Sequence, residues 1–122
     1  MTVRGYARVA GVFLFVAGLV GVLLTAGLLR PVDDALHLVA GGVLGYAGFG
    51  RVGERGARLV VGCVGAFFTV KGMVGPVRAL LDELPITAYR NGADVAHVLF
   101  GVLSLAALAL PDGAAGARRR PR

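Results

Sequence analysis

A long apolar run near the start of the chain limits what this sequence can fold into. From Val9 to Leu29 there is no charged residue, and about 20 consecutive apolar residues are the usual requirement for a helix that spans a bilayer. Hydrophobic residues make up 57% of the chain and charged residues only 16%, although a water-soluble domain of this size needs more charge to cover its surface. The sequence therefore predicts an integral membrane protein.

Three further apolar stretches follow, at about 35–49, 59–74 and 95–110. They are shorter than the first, so they need polar flanks at the interface or local thinning of the bilayer. We expect an all-α fold, a bundle of four transmembrane helices made of two similar helical hairpins. The predicted hairpins cover about 5–50 and 57–111 within one membrane domain at 1–113, and 114–122 is predicted to be a basic disordered tail.

The predicted second helix of each half begins with the same motif. Asp-x-x-His-x-x-x-Gly starts at position 34 and again at position 94, which places the two histidines of the chain at equivalent points. Because each half contains two spans, both halves have the same orientation, and a pseudo-twofold axis would run along the membrane normal. The residues of the two copies are Asp34, His37, Gly41, Asp94, His97 and Gly101.

These paired segments resemble a bacterial four-helix membrane family that is known only as a domain of unknown function. The family carries an Asn/Asp-x-x-His-Leu-Leu-x-Gly motif in two helices, and the segments Asp34–Gly45 and Asn91–Gly101 are similar to it. The resemblance extends over residues 5 to 110. It implies an integral membrane protein with both ends in the cytoplasm, and it implies no activity.

Arginines are concentrated on one side of the predicted topology, at both termini and in the link between helices two and three. By the positive-inside rule both termini are cytoplasmic, in a multi-pass protein of the inner (plasma) membrane. We interpret the basic tail as an orientation signal that touches anionic lipid headgroups, and we expect no specific nucleic acid binding. The arginines on this side are Arg4, Arg8, Arg51, Arg55, Arg58, Arg118, Arg119, Arg120 and Arg122.

Glycines are dense in the second predicted helix. Gly41 and Gly45 have the small-x-x-x-small spacing that allows helices to approach closely in lipid. At 100° per residue His37 lies in one sector with these glycines and with Gly48, so we expect this face to meet another helix. The predicted packing positions are Gly41, Gly45, Gly48 and Gly101.

Two local signals predict where helices begin and end. An aspartate before an apolar run is a typical N-cap, so either Asp33 or Asp34 is predicted to cap helix two, and Asp94 is predicted to cap helix four. Gly75-Pro76 is predicted to break helix three. The segment 76–84 after that break is amphipathic and is predicted to form a short helix on the outer surface.

Five ionisable residues are predicted in the outer third of the bilayer, and such residues are costly there. In the interpretation that we favour, the aspartates cap helices, the lysine snorkels to the interface or pairs with an aspartate, and the histidines hydrogen-bond between helices. Hydrogen bonds of this kind contribute about 0.6–2 kcal/mol each. The predicted cluster is Asp34, His37, Lys71, Asp94 and His97.

The same residues leave ligand binding open as an alternative. Two histidines at matching depth could be axial ligands of one haem, although we expect no cofactor. One Zn²⁺ held by His37, His97, Asp34 and Asp94 is chemically allowed. A proton path across the membrane lacks polar steps beyond Thr25, Thr69 and Ser104.

No arrangement of residues in the sequence predicts an enzyme. Ser104 has no evident base at its depth, and Cys63 is expected to be buried among apolar residues. We expect a structural or accessory membrane subunit that acts through helix–helix packing, either as a homo-oligomer or with a partner membrane protein. A haem- or metal-binding membrane protein is the alternative, and a small transporter is a further one.

Overall fold

Four α-helices make up most of the computed structural model, which describes residues 1–25, 31–81 and 92–111. The described residues contain no strand, which confirms the predicted all-α fold class. Two helices are long and apolar enough to cross a membrane, by length and composition. The helices are α1 (Val3–Thr25), α2 (Pro31–Phe49), α3 (Glu54–Leu81) and α4 (Gly92–Ala106), and a 3-10 turn (Ala107–Ala109) follows α4.

The chain divides into two compact units, and the boundary between them falls inside α3. The first unit is Met1–Val61 with Leu110–Arg122, and the second is Gly62–Ala109. The predicted tail at 114–122 lies outside the described residues.

The first turn of α1 is closed by Thr2. Its hydroxyl accepts a hydrogen bond from the Gly5 N–H at 3.1 Å, and its carbonyl accepts one from the Tyr6 N–H at 2.9 Å. A threonine in this position satisfies amide groups that have no partner within the helix. At the start of α3 the Gly53 carbonyl accepts from the Ala57 N–H at 3.0 Å.

The aspartates lie inside the first turns of their helices and not at the capping positions predicted for them. α2 already begins at Pro31, so Asp34 belongs to its first turn, and α4 begins at Gly92, so Asp94 belongs to its first turn. Proline suits the first helical position because its fixed φ is helical and its missing N–H is not needed there. A carboxylate in the first turn is still favoured by the helix dipole, by about 0.3–1 kcal/mol at an exposed site.

In the first unit α1 and α2 pack antiparallel with their backbones in contact. A Cβ atom built on Gly11 would lie 2.5 Å from the Gly45 nitrogen, and one built on Gly18 would lie 2.8 Å from the Leu38 nitrogen. No side chain fits at such distances, so glycine is required at these positions. The facing pairs are Arg8 with Gly48, Gly11 with Gly45, Phe15 with Gly41, and Gly18 with Leu38.

Small residues fill most of this contact, and most large apolar side chains of α1 face away from it, although Leu14 of α1 and Leu44 of α2 are buried. Ala7 and Ala10 of α1 are buried, whereas Val9, Phe13 and Leu23 are 65%, 66% and 70% exposed. A helix pair in water has the opposite distribution, because its large apolar side chains are removed from solvent. Close approach through small residues is typical of helix pairs in lipid.

The second unit repeats this arrangement between α3 and α4. A Cβ atom on Gly101 would lie 2.5 Å from the Thr69 nitrogen, and one on Gly72 would lie 2.7 Å from the Val98 nitrogen. The helices are again antiparallel with their backbones in contact. The facing pairs are Gly62 with Leu108, Gly65 with Ser104, Thr69 with Gly101, and Gly72 with Val98.

The positions of contact in α1 recur in α3 at a constant offset. The sequence reads Arg-x6-Gly-x6-Gly in both helices, and all the glycines of the two copies lie against backbone or side-chain atoms of the neighbouring helix. This pattern is a further similarity of the two halves, beside the Asp-x-x-His motif repeated in α2 and α4. The corresponding residues are Arg4, Gly11 and Gly18 in α1 and Arg58, Gly65 and Gly72 in α3.

The two arginines of this pattern make equivalent hydrogen bonds. Arg4 Nη2 donates to the carbonyl of Gly50 at 2.6 Å, after the end of α2, and Arg58 Nη2 donates to the carbonyl of Leu110 at 2.7 Å, after the 3-10 turn. The last carbonyls of a helix have no partner within it, and a cation at that end is also favoured by the helix dipole. Each arginine therefore stabilises the end of the following antiparallel helix.

The predicted break of helix three at Gly75-Pro76 is wrong, because α3 continues to Leu81. A proline inside a helix removes one hydrogen bond to the carbonyl four residues earlier and costs about 3 kcal/mol. Bilayer-embedded helices tolerate such residues when the freed groups find other partners. The separate surface helix predicted at 76–84 is therefore absent as far as Leu81, and its last three positions lie outside the described residues.

Replacement of Gly41 by alanine should destabilise the first unit, because the new Cβ would overlap the backbone of Phe15. We expect the free energy of unfolding to fall by about 1–3 kcal/mol. Gly42→Ala is the matched control, since a Cβ there meets no described atom within 4 Å. Reversible unfolding in mixed micelles, followed by circular dichroism, measures both variants, and equal losses would contradict the packing.

Candidate functional site

The five residues of the predicted polar cluster belong to different units. Asp34 and His37 lie on α2 in the first unit, and Lys71, Asp94 and His97 lie on α3 and α4 in the second. Each Asp-x-x-His motif is therefore a feature of its own helix pair.

In the first unit the Asp34 carboxylate lies against α1. A Cβ built on Gly21 would overlap this carboxylate, and one built on Gly18 would lie 2.8 Å from the Asp34 carbonyl oxygen. Asp34 and His37 are both half-buried. The glycines of α1 thus provide the space in which the first turn of α2 and its carboxylate fit.

The second unit has a similar contact at the start of α4. A Cβ built on Gly72 would lie 2.6 Å from the Asp94 carbonyl oxygen. Because Lys71 directly precedes Gly72 in α3, Lys71 and Asp94 lie at the same level of the helix pair. Both residues are half-buried. The pairing of Lys71 with an aspartate stays a prediction.

His97 is held in a group of aromatic rings that the sequence analysis did not identify. It is 7% exposed, and its ring centroid lies 5.4 Å from that of Phe68 at an interplanar angle of 35°. Phe68 is fully buried and also meets Phe100 at 5.1 Å and 72°. The sequence spacing already indicates part of this group, because His97 and Phe100 are three residues apart and therefore share a helix face.

Two hydroxyl groups of the second unit bond to their own helices. Thr69 Oγ1 donates to the Gly65 carbonyl at 2.9 Å, and Ser104 Oγ donates to the Phe100 carbonyl at 2.8 Å. This bond to the preceding turn satisfies a hydroxyl without a second helix. Cys63 was expected to be buried, but it is free and exposed on α3.

No group of three or more His, Cys, Asp and Glu side chains that could hold a metal occurs within residues 1–25, 31–81 and 92–111. The haem and zinc hypotheses therefore stay predictions of the two Asp-x-x-His motifs. In the structure one partner of the His97 ring is Phe68.

Comparison of the chain with protein-family models, with curated proteins and with solved structures finds no match. The resemblance to a four-helix membrane family accordingly stays a prediction from the sequence.

Truncation of Phe68 should weaken the second unit, because its buried ring supports both His97 and Phe100. We expect Phe68→Ala to lower the free energy of unfolding by about 3–5 kcal/mol, as for other buried aromatic residues. The neighbouring Phe67 is 47% exposed, so Phe67→Ala is the control and should cost clearly less. Thermal unfolding in detergent measures both, and a smaller effect at Phe68 than at Phe67 would contradict this description.

Proposed function

We propose that this chain is a small, non-enzymatic integral membrane protein that acts through helix–helix packing, as a homo-oligomer or as an accessory subunit of a partner membrane protein. One observation carries the proposal. The α1/α2 contact consists mainly of small residues, and most of the large apolar side chains of α1 face outward, although Val3 and Leu14 are buried. In water such a surface would be a large exposed apolar patch, whereas in lipid it faces a medium of its own polarity.

The length of the helices supports a membrane location. The candidate spans are Val3–Leu24, with mean hydropathy 2.3, and Glu54–Val74, with mean hydropathy 1.6. Only 28% of each span is buried within the structure, while the core helix of a soluble protein is mostly buried. Lipid is the solvent that accounts for both the length and the exposure.

We extend the proposal to four spans because of the backbone contacts. α2 lies along α1 from the level of Gly18 to that of Arg8. If α1 crosses the hydrocarbon core, α2 therefore crosses it as well. The apolar stretch Ala93–Ala109 is related in the same way to α3 in the second unit. Helices of this length span with local thinning of the bilayer or with polar residues at the interface.

The arginines support an orientation in which the start of α1 and the end of α2 lie at the cytoplasmic side. Arg4 and Arg8 reach carbonyls at the end of α2, and Arg51 and Arg55 are exposed in the segment that follows. A concentration of arginine at one end of the spans favours the cytoplasmic side of the inner (plasma) membrane. The first turn of α2, with Asp34, then faces the outside.

Cysteine labelling tests the membrane location and the orientation together. In a Cys63→Ala background, Val32→Cys should react with an impermeant maleimide on intact cells, and Gly53→Cys should react only after the membrane is opened. Both variants should remain in the membrane after carbonate extraction. Release by carbonate would contradict the membrane location, and equal labelling of Val32→Cys and Gly53→Cys would contradict the orientation.

The packing role predicts an assembly and not an isolated chain. Native mass measurement of the full chain in mild detergent should show a multimer or a complex with a membrane partner, since the outward-facing side chains remain available for further helix contacts. A strictly monomeric species without any copurifying protein would contradict this role.

A further inference from the structure

We propose that the outer face of α1 binds one anionic phospholipid of the inner leaflet. The phosphate group lies at Arg8, and an acyl chain lies in an apolar groove that runs along α1 to Val20. This inference rests on the proposed function, because it requires α1 to lie in a membrane.

The groove has a volume of about 660 Å³ and is formed by α1 from Arg8 to Val20 together with Phe49 of α2. Apart from Arg8 its lining is apolar. Val9 and Phe13 of this lining are 65% and 66% exposed, so the groove opens to the surface of the structure. A surface of this kind accepts hydrocarbon and offers a polar contact at one end.

The groove is long enough for one acyl chain. From Val9 to Val20 a helix rises about 17 Å at roughly 1.5 Å per residue. The acyl chains of one leaflet fill half of a hydrocarbon core that is about 30 Å thick, or about 15 Å. An acyl chain that begins near Arg8 therefore reaches as far as Val20.

Arg8 is positioned to receive a phosphate group. Its Nε donates to the Gly48 carbonyl at 2.9 Å, and its Cζ lies 5.5 Å from the centre of the Phe49 ring. These contacts hold the guanidinium plane, and its two Nη groups make no recorded hydrogen bond to the residues that the structure describes. A guanidinium with paired N–H groups matches the oxygens of a phosphate.

The surrounding charge favours an anionic lipid. The segment 1–8 contains Arg4 and Arg8 and no acidic residue. Arg4 is also close to Arg8 along the chain, and its guanidinium reaches the Gly50 carbonyl, two residues beyond the Arg8 acceptor. Basic residues at a membrane surface each add to the attraction for anionic headgroups.

A second copy of the chain fits this face less well. In a twofold contact between parallel copies the same face meets itself, so that Arg8 of one copy comes near the Arg8 of the other. Like charges at an interface oppose such a contact. An anionic headgroup instead neutralises the charge.

The test compares phosphatidylglycerol with phosphatidylcholine of the same acyl chains. The full chain is purified in mild detergent, and retained lipid is measured by native mass spectrometry. We expect one phosphatidylglycerol per chain, bound about tenfold more tightly than phosphatidylcholine, which corresponds to about 1.4 kcal/mol. Arg8→Gln should remove this preference, and the exposed Arg55→Gln should preserve it as the matched control.

A second variant keeps the test decisive if Arg8→Gln unfolds the α1/α2 pair. Ala17 lines the groove, so Ala17→Phe should fill it and reduce phosphatidylglycerol retention about tenfold while Arg8 stays in place. Equal retention of the two lipids by the native chain would overturn the inference. Equal losses for the Arg8 and Arg55 variants, or a lipid-free dimer that forms through this face, would also overturn it.

Failure of the lipid site can be distinguished from failure of the proposed membrane location. A chain that carbonate releases from membranes fails as a membrane protein, whatever lipid it retains in detergent. A chain that resists carbonate but shows no preference for phosphatidylglycerol leaves the membrane assignment in place and contradicts the lipid site alone.

Discussion

Close contact between glycine-containing backbones determines the geometry of both helix pairs. Gly11 lies against Gly45 in the first unit, and Gly101 lies against Thr69 in the second, at separations that leave no space for a Cβ atom. Because the helices meet at their backbones, most large apolar side chains of α1 face outward, and only a few large side chains, such as Leu14 and Leu44, are buried in the first unit. In the proposed membrane location these outward side chains face lipid, since an outward apolar surface is stable in lipid and costly in water.

Arginine side chains stabilise the ends of the second helix of each pair. The last carbonyls of a helix have no donor within the helix, so they need donors from elsewhere. Arg4 and Arg58 supply them at equivalent places, by donating to the carbonyls of Gly50 and Leu110. In the proposed topology these arginines stabilise the helix ends and also set the orientation of the chain. Arg8 combines a similar contact with the mouth of the apolar groove.

Predictions from single-residue preferences differed from the structure at helix ends. Asp33 or Asp34 was predicted as the cap of α2, but α2 begins at Pro31, because proline is suited to the first helical residue, and both aspartates lie in the first turn. Pro76 was predicted to end helix three, but the helix continues through it. Gly45 lies against Gly11 in the α1/α2 contact, and the close approach depends on Gly11, because a Cβ atom on Gly45 would meet no described atom within 4 Å. Propensities describe single residues, whereas these outcomes depend on pairs.

The sequence by itself determined the all-α class, the glycine-rich contact faces and the apolar character of the helices, because composition and helical periodicity are local properties of the chain. Only the tertiary structure decided the register between helices and the surroundings of His97 beside Phe68. Register depends on which residues of two distant segments fit together without overlap. That fit is a property of both helices at once, so neither segment specifies it alone.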